Sequence, residues 1–424
     1  MAQSTISLII MAVAIVCYAI PKIPLAITTI CAAIAMGLFG IIPFTSAFSG
    51  FANNSTLLIV GMMIIGQACF TSGLADTAGR VLYRFVGTNE RVFMNLLIII
   101  VALLAVFLNG AMLVAVMMPI IDIIVVQSHG SITRKHTYFP LGVASTLGNN
   151  LTTIGATSTM TAAGLMAAAG YGEMPIFAPT LINLPPLIGI IVIYILFGYQ
   201  YQKKCFDFLE IPVILEAGTK PEKEGNKTWK MVVVGGTMIC VIAAMIADFN
   251  YAASALIGAA ILILTNCIDE KTAYQSINWS TVIIIAGAIG FSAGLEKSGA
   301  GQIMADFILR ICGPVGKSPF GVCVILFIIA SIMSNLMSDN ATIAVLVPIA
   351  LALAQTLGCS DVLPFVLATA SGTKVAIATP VSVATMTMVQ VAGYRFKDYI
   401  CVGGVLNLLA LVGTAIMIKL VYFI

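Results

Sequence analysis

The chain has 424 residues, 60% hydrophobic and 9% charged, with a mean hydropathy of +1.09 and a formal net charge of +3. A soluble domain carries about a quarter charged residues, so this composition excludes one and indicates a membrane protein. The small positive balance reflects loop Lys and Arg and carries no nucleic-acid signature.

A helix that crosses a bilayer needs about 20 apolar residues. Ten stretches are expected to do so, near 4–20, 23–43, 56–75, 139–170, 181–200, 231–247, 251–267, 280–296, 363–392 and 399–422. The first run lacks a basic segment and a small-residue cleavage site, so no cleavable signal peptide is expected. Two further apolar segments, 93–127 and 320–357, are each interrupted by a polar tip. The tips are Leu108-Asn109-Gly110-Ala111 and Met337-Ser338-Asp339-Asn340-Ala341-Thr342. Backbone of this kind at membrane depth is tolerated only when buried in protein or lining a cavity. These two segments therefore read as re-entrant hairpins. Each tip runs into an arm with a proline ten residues after its first polar residue, Pro119 after Asn109 and Pro348 after Ser338.

Two other polar stretches lie deep inside spans. One runs from Gly148-Asn149-Asn150-Leu151-Thr152 to Thr159, the other from Ser371 through Lys374 and Thr379-Pro380 to Ser382. Gly, Pro and clustered hydroxyls would unwind a helix there. Freed carbonyls can then coordinate a cation, and the N-terminus of a half-helix can face an anion.

The long polar segment 201–230 mixes both signs of charge and reads as a solvated connector between two halves. The halves repeat: Ser72-Gly73, Arg84 and Gly87 recur at one constant offset as Ser298-Gly299, Arg310 and Gly313. An odd number of crossings separates equivalent helices, which makes the repeat inverted about an axis in the membrane plane. The expected organisation is 1–50 N-terminal scaffold helices, 51–200 first repeat, 201–230 cytoplasmic linker, 231–279 connecting scaffold helices, and 280–424 second repeat. With the N-terminus outside, cytoplasmic segments hold 15 Lys and Arg and external ones 3, which fixes the orientation. The fold class is all-α: a polytopic membrane protein with two re-entrant hairpins and two unwound transmembrane helices.

Lys374 lies eleven residues into its span, too deep to snorkel. Asp339 is its obvious partner. The pair reads either as structural or as a built-in cation that attracts the substrate. Asp122 reads as interfacial. His129 and His136 fall in a loop at 127–138 with no acid cluster, so no metal site is expected there. The ten cysteines show no CxxC and read as small core residues rather than a disulfide frame.

The segment Phe107-Leu-Asn-Gly-Ala-Met-Leu-Val-Ala-Val-Met-Met-Pro119 resembles the first hairpin of the divalent anion–sodium symporter family. Ser338-Asp-Asn-Ala-Thr-Ile-Ala-Val-Leu-Val-Pro348 resembles its second hairpin. Thr379-Pro380 and Gly393-Tyr394-Arg395-Phe396-Lys397-Asp398-Tyr399 are similar to its second-repeat signature. The resemblance implies a carrier of dicarboxylates, citrate or sulfate coupled to Na⁺, an elevator movement of one domain, and a homodimer in a bacterial inner or plasma membrane. The family's Ser-Asn-Thr tip is here Asn109-Gly110-Ala111 in the first hairpin and Ser338-Asp339-Asn340 in the second; Thr159 and Met386 stand where an Asn often closes each unwound stretch.

The leading expectation is therefore a Na⁺-coupled transporter of a small organic dianion. A carrier of sulfate or arsenite, or a Na⁺/H⁺ exchanger of the same superfamily, is the alternative. An enzyme is not expected, because no nucleophile–base set accompanies the one deep ion pair. Candidate substrate- or ion-binding residues are Asn109, Gly110, Gly148, Asn149, Asn150, Thr152, Ser338, Asp339, Asn340, Thr342, Lys374, Thr379, Pro380 and Ser382. Na⁺ is expected at Asn109, Gly148, Ser338 and Asn340. Beyond Na⁺ no cofactor is expected, and the partners are the anion, lipid and a second copy. The moving hairpins are expected to slide against a scaffold of 4–43, 181–200 and 399–422.

Overall fold

A computed structural model describes residues 2–20, 22–73, 89–128, 130–208, 227–247, 249–380 and 383–423. It is all-helical in these residues. The helices are α1 (Gln3–Ala19), α2 (Leu25–Leu38), α3 (Phe44–Phe48), α4 (Asn54–Thr71), α5 (Glu90–Ala105), α6 (Gly110–Gln127), α7 (Arg134–Gly148), α8 (Thr157–Ala168) and α9 (Ala178–Cys205). The second half adds α10 (Lys227–Ile246), α11 (Tyr251–Leu264), α12 (Glu270–Gln275), α13 (Trp279–Lys297), α14 (Ala300–Cys312), α15 (Pro319–Leu336), α16 (Asp339–Thr356), α17 (Leu363–Lys374), α18 (Ala384–Val389) and α19 (Phe396–Tyr422).

Short polar residues start several of these helices, because the first backbone N–H groups of a helix need acceptors that lipid cannot supply. Asn53 accepts from the Ser55 N–H at the start of α4, and Asn278 accepts from Thr281 at the start of α13, the equivalent place in the second half. The repeated Ser-Gly pair marks the matching ends: Gly73 closes α4 at φ 82° and Gly299 follows α13 at φ 71°. A residue with a Cβ adopts that left-handed turn only at a cost. Arg84 and Gly87 of the first repeat lie outside the described residues.

Packing follows the same two-fold scheme. α2 packs on α13, and α11 packs on α4. The first hairpin, α5–α6, lies against α7, and the second, α15–α16, against α17. α8 from the first half meets α16, while α18 from the second half meets α6 and α7. Glycines permit the closest approaches. A Cβ on Gly61 would lie 2.7 Å from the Ala255 carbonyl carbon, and one on Gly287 3.0 Å from the Ile30 nitrogen. Large apolar side chains on the rim, such as Leu38, Phe197, Val232, Ile239, Leu264 and Leu408, stay exposed, as expected of a lipid-facing surface.

Seven of the described helices are long and apolar enough to cross a membrane. Among the expected spans, 23–43 and 251–267 shorten to the 14-residue helices α2 and α11, because Pro24 and Asn250 start them and Phe39 and Thr265 end them. Three sequence readings are corrected. Spans 181–200 and 399–422, expected in the scaffold, form α9 and α19, which pack on each other and on α5, α7, α15 and α17. They belong with the hairpins. Their crossing also brings Cys205 and Cys401 together, and the two sulfurs are bonded, with Cα atoms 6.4 Å apart. No spacing signal announces a pair so far apart in the chain. Finally, His136 is buried in the first turn of α7 rather than in a loop; its Nδ1 is 3.2 Å from Glu90 Oε2. His129 lies outside the described residues.

Candidate functional site

Four discontinuities converge between the hairpins and their following helices. The first hairpin turns at 106–109, and Asn109 caps α6 by accepting from the Ala111 and Met112 N–H groups at 3.1 and 3.3 Å. This tip rests on the first break, the non-helical residues 149–156 between α7 and α8. Ser145 Oγ donates to the Gly110 carbonyl at 3.0 Å, and Thr152 Oγ1 to the Val106 carbonyl at 2.5 Å. Asn149 lies against the carbonyls of Ala105 and Gly155. A Cβ on Gly110 would come within 2.8 Å of both Ser145 Oγ and the Asn149 amide. Gly148 lets α7 touch α5: a Cβ there would sit 2.4 Å from the Ala102 carbonyl oxygen.

The second hairpin repeats the design with different chemistry. Ser338 caps α16 through Ala341, and the Thr342 hydroxyl donates back to the Ser338 carbonyl at 3.2 Å. The tip rests on the second break after α17. Ser331 Oγ donates to the Val375 carbonyl, and Thr379 Oγ1 is 2.7 Å from Asn335 Oδ1. The Pro380 carbonyl accepts from the Thr387 hydroxyl. Ser382 lies outside the described residues. Gly372, the second-half counterpart of Gly148, does the same packing work: its Cβ would sit 2.5 Å from the Phe327 carbonyl oxygen.

Lys374 ends α17 and is 6% exposed. Its ammonium donates to Asp339 Oδ2 at 2.6 Å, while Ser334 Oγ donates to Asp339 Oδ1 at 2.5 Å. The cation lies at a helix C-terminus and the carboxylate in the first turn of another helix, so both macrodipoles favour the pair. A buried pair of this kind tolerates desolvation only with such geometry and a satisfied carboxylate.

Three of the contacts that join the two halves lie beside the breaks. Asn340 Nδ2 lies 3.4 Å from Thr157 Oγ1 at the start of α8. The Thr146 and Thr385 hydroxyls are 2.6 Å apart. Asn183 of α9 donates to the Asn150 carbonyl at 3.1 Å and lies 2.9 Å from Ser371 Oγ. Its counterpart at the offset that relates Gly148 to Gly372 is Asn407 of α19, which accepts from the Ile377 N–H at 2.9 Å. Thus the structure brings Asn149, Asn150 and Thr152 together with the first tip, and Asp339, Lys374 and Thr379 with the second. No described bond joins Asn109 directly to the second hairpin. Sequence reading missed Asn183, Asn407, Asn335 and Ser334. The available signal was two lone asparagines in apolar spans at the spacing of Gly148 and Gly372.

The two breaks differ in what they leave unpaired. Among the described residues, Asn150 Oδ1, Ser158 Oγ, Thr159 Oγ1 and Asn340 Oδ1 are buried without a hydrogen-bond partner. These oxygens suit a hard cation such as Na⁺, which takes oxygen ligands. α8 begins without a side-chain cap, so its first N–H groups remain available to an anionic group. At the second break a fixed ammonium, Lys374, is already in place.

Hairpins whose tips meet broken helices are the architecture of secondary transporters. The match to a citrate transporter family model runs over residues 7–372, and the chain belongs to that family. Its long apolar helices and that membership mark it as a membrane protein of a transporter family. Over 187 residues it is 29% identical to the uncharacterized transporter YfbS of Escherichia coli, covering 44% of this chain and 30% of that one. The chain thus matches less than a third of that relative's length. It is 22% identical to the sodium-dependent high-affinity dicarboxylate transporter 3 of Caenorhabditis elegans, covering 93% of this chain and 79% of that one. The fold is similar to the crystal structure of the YdaH transporter of Alcanivorax borkumensis, with a TM-score of 0.60 at 13% identity over 89% of this chain and 87% of that one.

Proposed function

We propose that this protein imports a small organic dianion, citrate- or dicarboxylate-like, driven by Na⁺. The observation that carries the reading is the set of buried, unpartnered oxygens beside an uncapped helix N-terminus at the first break. The oxygens of Asn150, Ser158, Thr159 and Asn340 would hold Na⁺, and the α8 N–H groups would receive a carboxylate. Asn109, Gly110, Gly148, Asn149, Thr152, Ser338 and Thr342 shape the tips and breaks around that place. At the second break Lys374, bonded to Asp339 and with Thr379, Pro380 and Ser382 following it in the chain, supplies the positive charge that a second Na⁺ would otherwise bring.

The movement we infer is an elevator. One body comprises α1–α4 and α10–α13; the other comprises α5–α9 and α15–α19, with α14 connecting them. The seam between the bodies breaks the two-fold scheme. α13 packs on α16 and α8, and α4 packs on α8. By the repeat, α4 should pack equally on α6, and α13 on α18. Neither makes a comparable contact among the described residues. The α8–α16 face is closed and the α6–α18 face is not. With the N-terminus outside, this is an inward-facing arrangement. The repeat's symmetry implies an outward-facing one in which the contacts exchange.

The test is uptake into proteoliposomes from a panel of labelled citrate, succinate, malate and sulfate, with and without an inward Na⁺ gradient. Gradient-dependent uptake of one of the organic anions is expected. Uptake of sulfate alone, or uptake indifferent to Na⁺, would overturn the assignment.

A further inference from the structure

We propose a second binding site, remote from the tips, for a small organic cation that carries N–H donors, such as a guanidinium. A cavity of about 130 Å³ lies where α13 and α14 meet α16 and the loop after α8. Its polar lining is Ser292, Glu296, Gln302, Gln355 and Tyr171. The one charge there is negative, and every polar side chain of the lining offers an oxygen. Ser292 and Glu296 stand one helical turn apart on the same face of α13. Ser292 is 6% exposed, and its hydroxyl has no partner among the described residues. The Glu296 carboxylate likewise has none. Gln302 spends its amide nitrogen on Thr356 Oγ1 at 2.6 Å, and Gln355 spends its own on the Tyr171 hydroxyl at 2.5 Å. Each then presents its carbonyl oxygen together with the second amide N–H.

An anion would meet the Glu296 carboxylate here and be repelled. A bare Na⁺ would need its oxygens within coordination distance, and a cavity of this size holds it only with its water. A planar guanidinium has N–H donors in several directions, which matches acceptors spread around the walls, and it can stack on the Tyr171 ring. The cavity belongs to the closed α13–α16 face, so a bound cation would hold that face shut. This consequence rests on the elevator reading; the binding itself does not.

The probe is methylguanidinium, added to the purified full-length protein in detergent and followed by saturation-transfer NMR. Binding is expected in the wild type. It should weaken at least tenfold in Glu296→Gln. Gly301→Leu offers a steric test that leaves the charge in place. Gly301 lines the cavity, and a Cβ there meets nothing closer than Ala352 Cβ at 3.5 Å. The added side chain should fill the space and abolish binding, with folding checked by size-exclusion and thermal unfolding. Tetramethylammonium, which has the charge without the donors, should not compete. Equal binding by wild type and Glu296→Gln, undiminished binding by a folded Gly301→Leu, or full competition by Na⁺ or tetramethylammonium would overturn the site. None of these readouts requires transport, so a failed site and a failed elevator are told apart.

Discussion

Lys374 and Asp339 form a buried ion pair whose structural and proposed functional roles can be separated by substitution. Removing only the ammonium leaves a buried carboxylate whose remaining described partner is the Ser334 hydroxyl. Losing one member of a buried pair costs roughly 3–5 kcal/mol. Lys374→Met should therefore lower the thermal unfolding midpoint sharply, and Lys374→Met with Asp339→Asn should recover most of the loss. If the pair were merely structural, the double variant would also recover uptake. We expect it not to: uptake should stay at least tenfold below wild type. A fixed cation at the second break also predicts a simple, hyperbolic dependence of uptake on Na⁺ in the wild type. Lys374→Ser should make that dependence steeper. Identical Na⁺ curves for the two proteins would remove the surrogate-cation role.

At the scale of elements, the tips and breaks were legible because polar residues inside apolar runs have few physical excuses. Asn109 and Ser338 cap their arms, and Thr152 and Thr379 hydrogen-bond across the breaks. What a single sequence hides is which neighbour a lone polar residue meets. Asn183 and Asn407 each sit in an apolar helix and were silent, yet each pins one break. The same blindness placed α9 and α19 in the scaffold, since apolar faces do not name their partners. The Cys205–Cys401 bond was invisible for that reason too. Asn183→Leu should strand the Asn150 carbonyl beside its already unpartnered side-chain oxygen. A buried acceptor left bare costs about 1–3 kcal/mol. Asn407→Leu should cost a similar amount at Ile377. Hydrogen exchange in each variant should rise at its own break and not at the other. Loosening of both breaks together would mean that the asparagines do not act locally. Gly148→Ala and Gly372→Ala test the helix contacts in the same way. Each forces a Cβ against a carbonyl oxygen at about 2.4–2.5 Å, and overpacking of this kind costs roughly 1–3 kcal/mol. Thermal unfolding of the two single variants measures it.

For the whole molecule, the largest helix contacts within each of the two proposed bodies come in two-fold pairs, and those between the bodies do not. Packing of α5 on α7 has its partner in α15 on α17, and α4 on α11 has its partner in α13 on α2. Among the described residues, the α13–α16 and α4–α8 contacts of the seam have no comparable counterpart. A seam that is closed at one end of a symmetric repeat is what a rigid-body slide leaves behind, because the opposite arrangement uses the same residues in exchanged roles. The closed end offers a direct handle. Asn54 at the start of α4 donates to Glu173, in the loop after α8, at 2.9 Å, and both side chains are exposed. Cysteines at these two positions, with the native free thiols replaced, should be joined readily by a short reducible bifunctional reagent. The joined protein should lose uptake, and reduction should restore it. Each cysteine alone, treated identically, should transport normally. The bound anion should still protect the first break from hydrogen exchange in the joined protein, because the tips and both breaks belong to the same body. Full uptake by a sample shown to be completely cross-linked would mean that α4 and α8 never part, and the transport step would then have to lie within the hairpins themselves.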